Sequence, residues 1–63
     1  MELRIKDFRE EMHLTQKELA QKSGVSRATI SGLENGTIAV TTTDTLIKIA
    51  DALGKRVSDI FLS

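Results

Sequence analysis

The chain has 63 residues, and its nine Lys and Arg balance nine Asp and Glu, so its formal net charge is zero. It has no cysteine and a single histidine, which excludes a disulfide framework and a metal site built on thiolates. It has no Trp or Tyr and only two Phe, which disfavours single-strand binding by base stacking, and it lacks the run of about 18 apolar residues that a membrane span needs.

The remaining bulk features favour a small non-enzymatic protein. The N-terminal residues alternate charged and apolar types and lack the apolar centre of a signal peptide, so we expect a cytoplasmic location. The initial Met and the compact C-terminal end lead us to expect a whole protein that forms one domain over residues 1–63. No nucleophile–base pair, carboxylate pair or phosphate loop has useful spacing, so we expect no catalytic residue, no metal and no cofactor.

Five helices and no strands are predicted, which places the chain in the all-α class. Ile5, Phe8 and Met12 fall at helical spacing and define the apolar face of helix 1, predicted over residues 2–12. His13 then takes the left-handed turn position at the helix end.

Helix 2 has a clear start and a clear end. Thr15 and Glu18 have the spacing of a capping box, in which each side chain accepts a hydrogen bond from the other residue's amide. The helix is predicted to end at Ser23, with Gly24 beyond it in the left-handed conformation. Ala20 is small enough to let a second helix cross closely.

Helix 3 is predicted from a Ser26 cap to about Glu34, and Asn35-Gly36 stops it. Its apolar side holds Ile30 and Leu33. Its other side is small or polar and carries Arg27, Ala28, Ser31, Gly32 and Asn35. Two short helices joined at a glycine, with a slim polar outer face, are typical of a DNA-reading helix-turn-helix whose second helix enters the major groove.

The loop after helix 3 covers residues 37–41 and leads into helix 4, which begins after Thr41 or Thr42 and ends at Gly54. Ile38 and Val40 are apolar residues in this otherwise polar loop. They are expected either to fold back on the core or to form a partner surface.

The C-terminal segment is strongly apolar. Ser58 is expected to cap a last turn over residues 59–62, with Val57 and Leu62 as a hydrophobic staple. One short turn hides few apolar side chains, so some of them are expected to form a twofold dimer interface. The candidate interface residues are Val57, Ile60, Phe61 and Leu62.

The sequence resembles the phage-repressor-like (Cro-type, Xre) helix-turn-helix family over nearly its whole length. The matching segments are Leu14-Thr15-Gln16, Glu18-Leu19-Ala20, Gly24-Val25-Ser26, Ile30, Leu33-Glu34-Asn35-Gly36 and Thr45-Leu46-Ile47-Lys48-Ile49-Ala50-Asp51-Ala52-Leu53-Gly54. The resemblance implies a compact five-helix bundle of the lambda-repressor-like type that binds double-stranded DNA.

The resemblance also implies roles for individual residues. Arg9 and Glu34 match a pair that ties helix 1 to the end of helix 3, and Gln16 matches a phosphate contact that also braces the first recognition residue. The predicted base contacts are Arg27, Ala28, Ser31 and Gly32. The predicted backbone contacts are Gln16, Lys17, Ser26, Asn35 and Thr37.

The chemistry of these side chains fits the implied roles. Arg27 is able to donate two hydrogen bonds to guanine, which discriminates by about 1–3 kcal/mol, and Ala28 offers an apolar contact to a thymine methyl. Two features depart from the family pattern. Gly32 has no side chain with which to read a base, and the loop after helix 3 has no basic residue.

These observations predict a sequence-specific transcriptional regulator, in particular a repressor that binds a palindromic operator as a homodimer. A dimer places two recognition helices one DNA turn apart. The alternative is an antitoxin or partner-binding module of the same fold, which binds a toxin or another protein through its apolar C-terminus or through Ile38 and Val40.

Overall fold

The computed structural model describes residues 2–38 and 41–62, and within them five helices and two very short strands are present. In chain order the elements are β1 (Glu2–Leu3), α1 (Ile5–Glu11), α2 (Gln16–Ser23), α3 (Arg27–Asn35), α4 (Thr43–Leu53), α5 (Val57–Ile60) and β2 (Phe61–Leu62). Within these described ranges, no helix is long and apolar enough to span a membrane.

Hydroxyl side chains begin the three central helices, as the sequence predicts. Thr15 forms the capping box with Glu18 at the start of α2. The Ser26 hydroxyl accepts from the amide of Thr29 at the start of α3, and Thr42 rather than Thr41 caps α4. Each of these bonds satisfies an amide that the helix leaves without a partner.

The core is built by contributions from every helix. The five largest fully buried side chains are one from each helix in turn, namely Ile5, Leu19, Ile30, Ile49 and Ile60. The most extensive helix contacts are those of α2 with α3 and with α4. The helix-turn-helix unit is therefore held on a shared core, which fixes the orientation of α3.

The predicted all-α class and its five helices are confirmed, and only the two ends of the chain depart from the predicted arrangement. The prediction of no strands is wrong, because Leu3 pairs with Phe61 in an antiparallel ladder of two residues per strand. The amide of Arg4 also donates to the carbonyl oxygen of Ile60 at 2.7 Å. Helix α1 consequently begins at Ile5 instead of residue 2, and it ends at Glu11 with His13 at a positive φ of 57°.

The last helix also begins earlier than predicted. The Asp59 carboxylate accepts from the amide of Arg56 at 3.0 Å, so the helix starts after Arg56 and Ser58 is not its cap. Without a cap at Ser58 the predicted staple is lost, and the side chain of Leu62 lies outside the described residues.

Candidate nucleic-acid interface

The turn between α2 and α3 is fixed by backbone geometry. Gly24 has a φ of +77°, a conformation that costs other residues about 1–2 kcal/mol, and its amide donates to the Ala20 carbonyl at 2.9 Å. The next amide, that of Val25, donates to the Ser23 hydroxyl at 3.2 Å. These bonds terminate α2 and set the direction in which the chain enters α3.

The two sides of α3 have opposite environments. Ile30 and Leu33 are buried in the core. Arg27, Ala28 and Asn35 are exposed, so this side of the helix is not packed beneath other described parts of the chain. A slim exposed helix side of this kind fits a major groove, which is about 12 Å wide.

A charged cluster joins α1, α2 and α3 beside this exposed side. The guanidinium of Arg9 holds both carboxylate oxygens of Glu34, with Nε–Oε2 at 2.8 Å and Nη2–Oε1 at 3.0 Å. Its Nη1 donates to the carbonyl of Leu14 at 2.7 Å, and the amide Nε2 of Gln16 donates to Glu34 Oε1 at 3.2 Å. The pair implied by the family resemblance is thus present and includes Gln16.

The ion pair of this cluster is largely buried. The side chains of Arg9 and Glu34 are only 12% and 4% exposed. The hydrogen bond to Glu34 raises the pKa of Arg9 above its usual range, and burial opposes that shift. Because Gln16 Nε2 carries two hydrogens, one remains for a phosphate after the bond to Glu34 is made.

Both carboxylates of the motif accept hydrogen bonds within the fold, but only that of Glu34 is paired with a cation. Glu18 accepts from the amide of Thr15 at 2.8 Å, and Glu34 is paired with Arg9. Lys17 and Arg27 are exposed and form no ion pair with any residue in the described ranges. On α2 and α3 the three cations Lys17, Lys22 and Arg27 outnumber Glu18, the one carboxylate that Arg9 does not neutralise, so a chain with no net charge has a local excess of positive charge there.

Three of the predicted DNA contacts lie together. Gln16, Ser31 and Asn35 line one open depression between α1, α2 and α3. The same depression is lined by Lys6 of α1, an exposed cation that forms no ion pair with a described residue. Sequence reasoning missed Lys6, because only the packing of α1 across α3 brings it beside the helix-turn-helix.

Two other predicted backbone contacts are partly occupied within the chain. The Ser26 hydroxyl accepts from the amide of Thr29 and donates to Thr29 Oγ1 at 2.8 Å. The amide of Thr37 donates to Asn35 Oδ1 at 2.9 Å, which leaves the Asn35 amide group and the Thr37 hydroxyl as exposed donors.

Gly32 does not lie open on the outer side of α3. It is buried because the side chain of Ile38 covers it, and Ile38 also packs against the core cluster. The burial of Gly32 does not fit the prediction that it contacts a base. Ile38 packs against the core, which was one of the two alternatives expected for it. Val40 lies outside the described residues.

The candidate dimer residues fall in different environments. Ile60 is fully buried in the core of its own chain, so it is not accessible to a second protomer. Val57 and Phe61 are half-buried, and Val57 packs against the core.

This arrangement defines a helix-turn-helix DNA-binding fold. Residues 5–60 match the model of the helix-turn-helix family, and the chain belongs to that family. Its members are DNA-binding transcriptional regulators rather than enzymes, and the Xre-like resemblance of the sequence is confirmed.

Curated relatives are similar in sequence to almost the whole chain. An uncharacterized HTH-type transcriptional regulator of Methanothermobacter thermautotrophicus is 44% identical, with 92% of this chain and 84% of the relative covered. One from Archaeoglobus fulgidus is 40% identical over 98% of this chain and 86% of its own length. One from Methanocaldococcus jannaschii is 39% identical over 98% of this chain and 92% of its own length.

Proposed function

We propose that this DNA-binding regulator is a cytoplasmic repressor that binds a palindromic operator as a homodimer, with α3 of each protomer in the major groove. The observation that carries the proposal is the outer side of α3, where Arg27 and Ala28 are exposed and Arg27 forms no ion pair with a described residue. Arg27 reads a guanine through O6 and N7, and Ala28 contacts a thymine methyl.

Phosphate contacts on either side hold the helix in the groove. Lys17 lies in the first turn of α2, where the helix dipole disfavours a cation and favours an anion, so a phosphate there relieves an unfavourable charge. Gln16, Lys6 and the amide group of Asn35 surround the depression beside it and donate to the same DNA strand. Thr37 contributes its hydroxyl, whereas Ser26 and Ser31 are contacts of lesser weight.

A dimer doubles the number of phosphate contacts, which compensates for the absence of a net positive charge on each protomer. With Lys6 and Lys17 in each of two protomers, four phosphates are neutralised, and log K falls against log salt with a slope of about −3.6. Val57, Phe61 and Leu62 are the remaining candidates for the dimer contact. Repression follows from occupancy, because a dimer that fills two successive major grooves blocks other proteins from the same DNA.

Selection of bound duplexes from a random pool tests this proposal. It should return two inverted half-sites about 10–10.5 base pairs apart, centre to centre, each with a guanine whose preference is lost in Arg27→Ala. Placing the selected site over a promoter should lower reporter transcription. A pool without enrichment, or an affinity that is independent of salt, refutes the proposal.

A second candidate function is an antitoxin or partner-binding module. It is favoured by two large apolar side chains that remain exposed, Met12 at 38% and Ile47 at 43%. Arg27→Ala separates the two functions. If DNA binding survives this substitution while a protein partner is bound through the apolar residues, protein interaction is the main role.

A further inference from the structure

The loop after α3 occupies a site on the helix that a side chain normally fills. A Cβ atom placed on Gly32 would lie 2.5 Å from Cδ1 and 2.6 Å from Cγ1 of Ile38. Non-bonded carbon atoms prefer about 3.5–4.0 Å, so the side chain of Ile38 stands where a side chain of residue 32 would begin.

A main-chain hydrogen bond holds Ile38 in this place. Its amide donates to the carbonyl oxygen of Gly32 at 3.0 Å, and its side chain packs against the hydrophobic core cluster. The position of Ile38 on α3 is therefore fixed by two independent contacts. Its side chain is half-buried, so part of it stays accessible from outside.

The accessible part of Ile38 lies beside the outer side of α3, which carries Arg27 and Ala28. Residue 32 follows Ala28 by four positions, so the two lie on the same side of α3 one turn apart. Ala28 is exposed there. The loop thus extends the apolar surface that begins at Ala28 by one helical turn.

We propose that Ile38 is a specificity-determining residue that contacts the C5-methyl group of a thymine in the major groove, in place of a side chain at position 32. The inference rests on the proposed insertion of α3 into the groove. In that groove the thymine methyl is the apolar feature of the base edges, and an isoleucine side chain has only apolar atoms with which to read. This contact also explains why residue 32 on the outer side of α3 is a glycine, since any larger residue would displace Ile38.

The test replaces single thymines of the selected duplex with deoxyuridine, which removes only the C5-methyl group. Binding of the wild-type protein to each duplex is measured by fluorescence anisotropy. We expect a loss of about fourfold at one thymine, the effect of exposing one buried methyl-sized group. In Ile38→Ala this thymine becomes insensitive to the replacement, and in Ile38→Val, which lacks only Cδ1, the loss is smaller.

Two control variants separate Ile38 from its surroundings. In Ala28→Gly, a different thymine should become insensitive to replacement by deoxyuridine. The loss of affinity at the thymine that Ile38 contacts should remain. Ile47→Ala removes the same atoms from an exposed site on α4 and should leave the whole uracil profile unchanged.

The inference is overturned if deoxyuridine weakens binding only at the thymine that Ala28 contacts. It is also overturned if the loss of affinity assigned to Ile38 is unchanged in Ile38→Ala. If Ile38→Ala does not fold, an undiminished penalty in Ile38→Val overturns it equally. The guanine preference conferred by Arg27 does not depend on Ile38. Its loss in Arg27→Ala would therefore still support the proposed function when the inference about Ile38 fails.

Discussion

Arg9→Met should destabilise the fold severely, because it leaves the buried carboxylate of Glu34 without its charge partner. Three hydrogen bonds reach this carboxylate, and two of them come from Arg9. Removing one partner of a buried pair costs about 3–5 kcal/mol. The total stability expected for a chain of this size is only about 3–9 kcal/mol.

The measurement is urea unfolding followed by circular dichroism, with a double variant and a matched exposed pair. Arg9→Met/Glu34→Leu removes both charges and should recover at least about 2 kcal/mol of the loss. Lys48→Met breaks the pair with Asp44, whose side chains are 52% and 74% exposed, and should cost less than about 0.5 kcal/mol. A loss in Arg9→Met as small as that of Lys48→Met would refute the reasoning.

The other predictions concern charge, base reading and the turn. Arg9 stays protonated until the pH rises through its raised pKa, so melts from neutral to mildly alkaline pH should show no loss attributable to it; a loss specific to Arg9 would contradict this. Arg27→Ala should cost about 1–3 kcal/mol in binding to the selected site and leave the melting temperature unchanged, since the side chain is exposed. Lys6→Gln should weaken binding to all duplexes alike and reduce the salt slope by about 1 per protomer, as titrations at several salt concentrations will report. Gly24→Ala should lower the free energy of unfolding by about 1–2 kcal/mol through its positive φ; a urea melt that matches wild type would contradict that.

Features set by neighbours in sequence could be predicted. The capping residues Thr15 and Ser26 are recognised from a few adjacent positions, and the buried side of α3 follows from helical spacing at Ile30 and Leu33. These signals also fix the turn at Gly24. The exposure of Arg27, Ala28 and Asn35 was therefore predictable, because these positions remain after the apolar side is assigned.

Features that depend on distant parts of the chain were not predictable from local pattern. The pairing of Leu3 with Phe61 joins opposite ends of the chain, and two residues per strand are too few to show an alternating pattern. Ile38 covers Gly32 because the loop turns back on α3, and nothing in the sequence separated this from an exposed partner surface. Lys6 joins the candidate interface only through the packing of α1.

Methylation interference tests the placement of α3 most directly. Dimethyl sulfate marks guanine N7 in the major groove and adenine N3 in the minor groove, so it reports which groove the protein occupies. With α3 in the major groove, methylated guanines should be excluded from the bound fraction, and Arg27→Ala should relieve this exclusion at one guanine per half-site. Interference confined to adenines, or guanine interference that is identical in Arg27→Ala, would contradict the account.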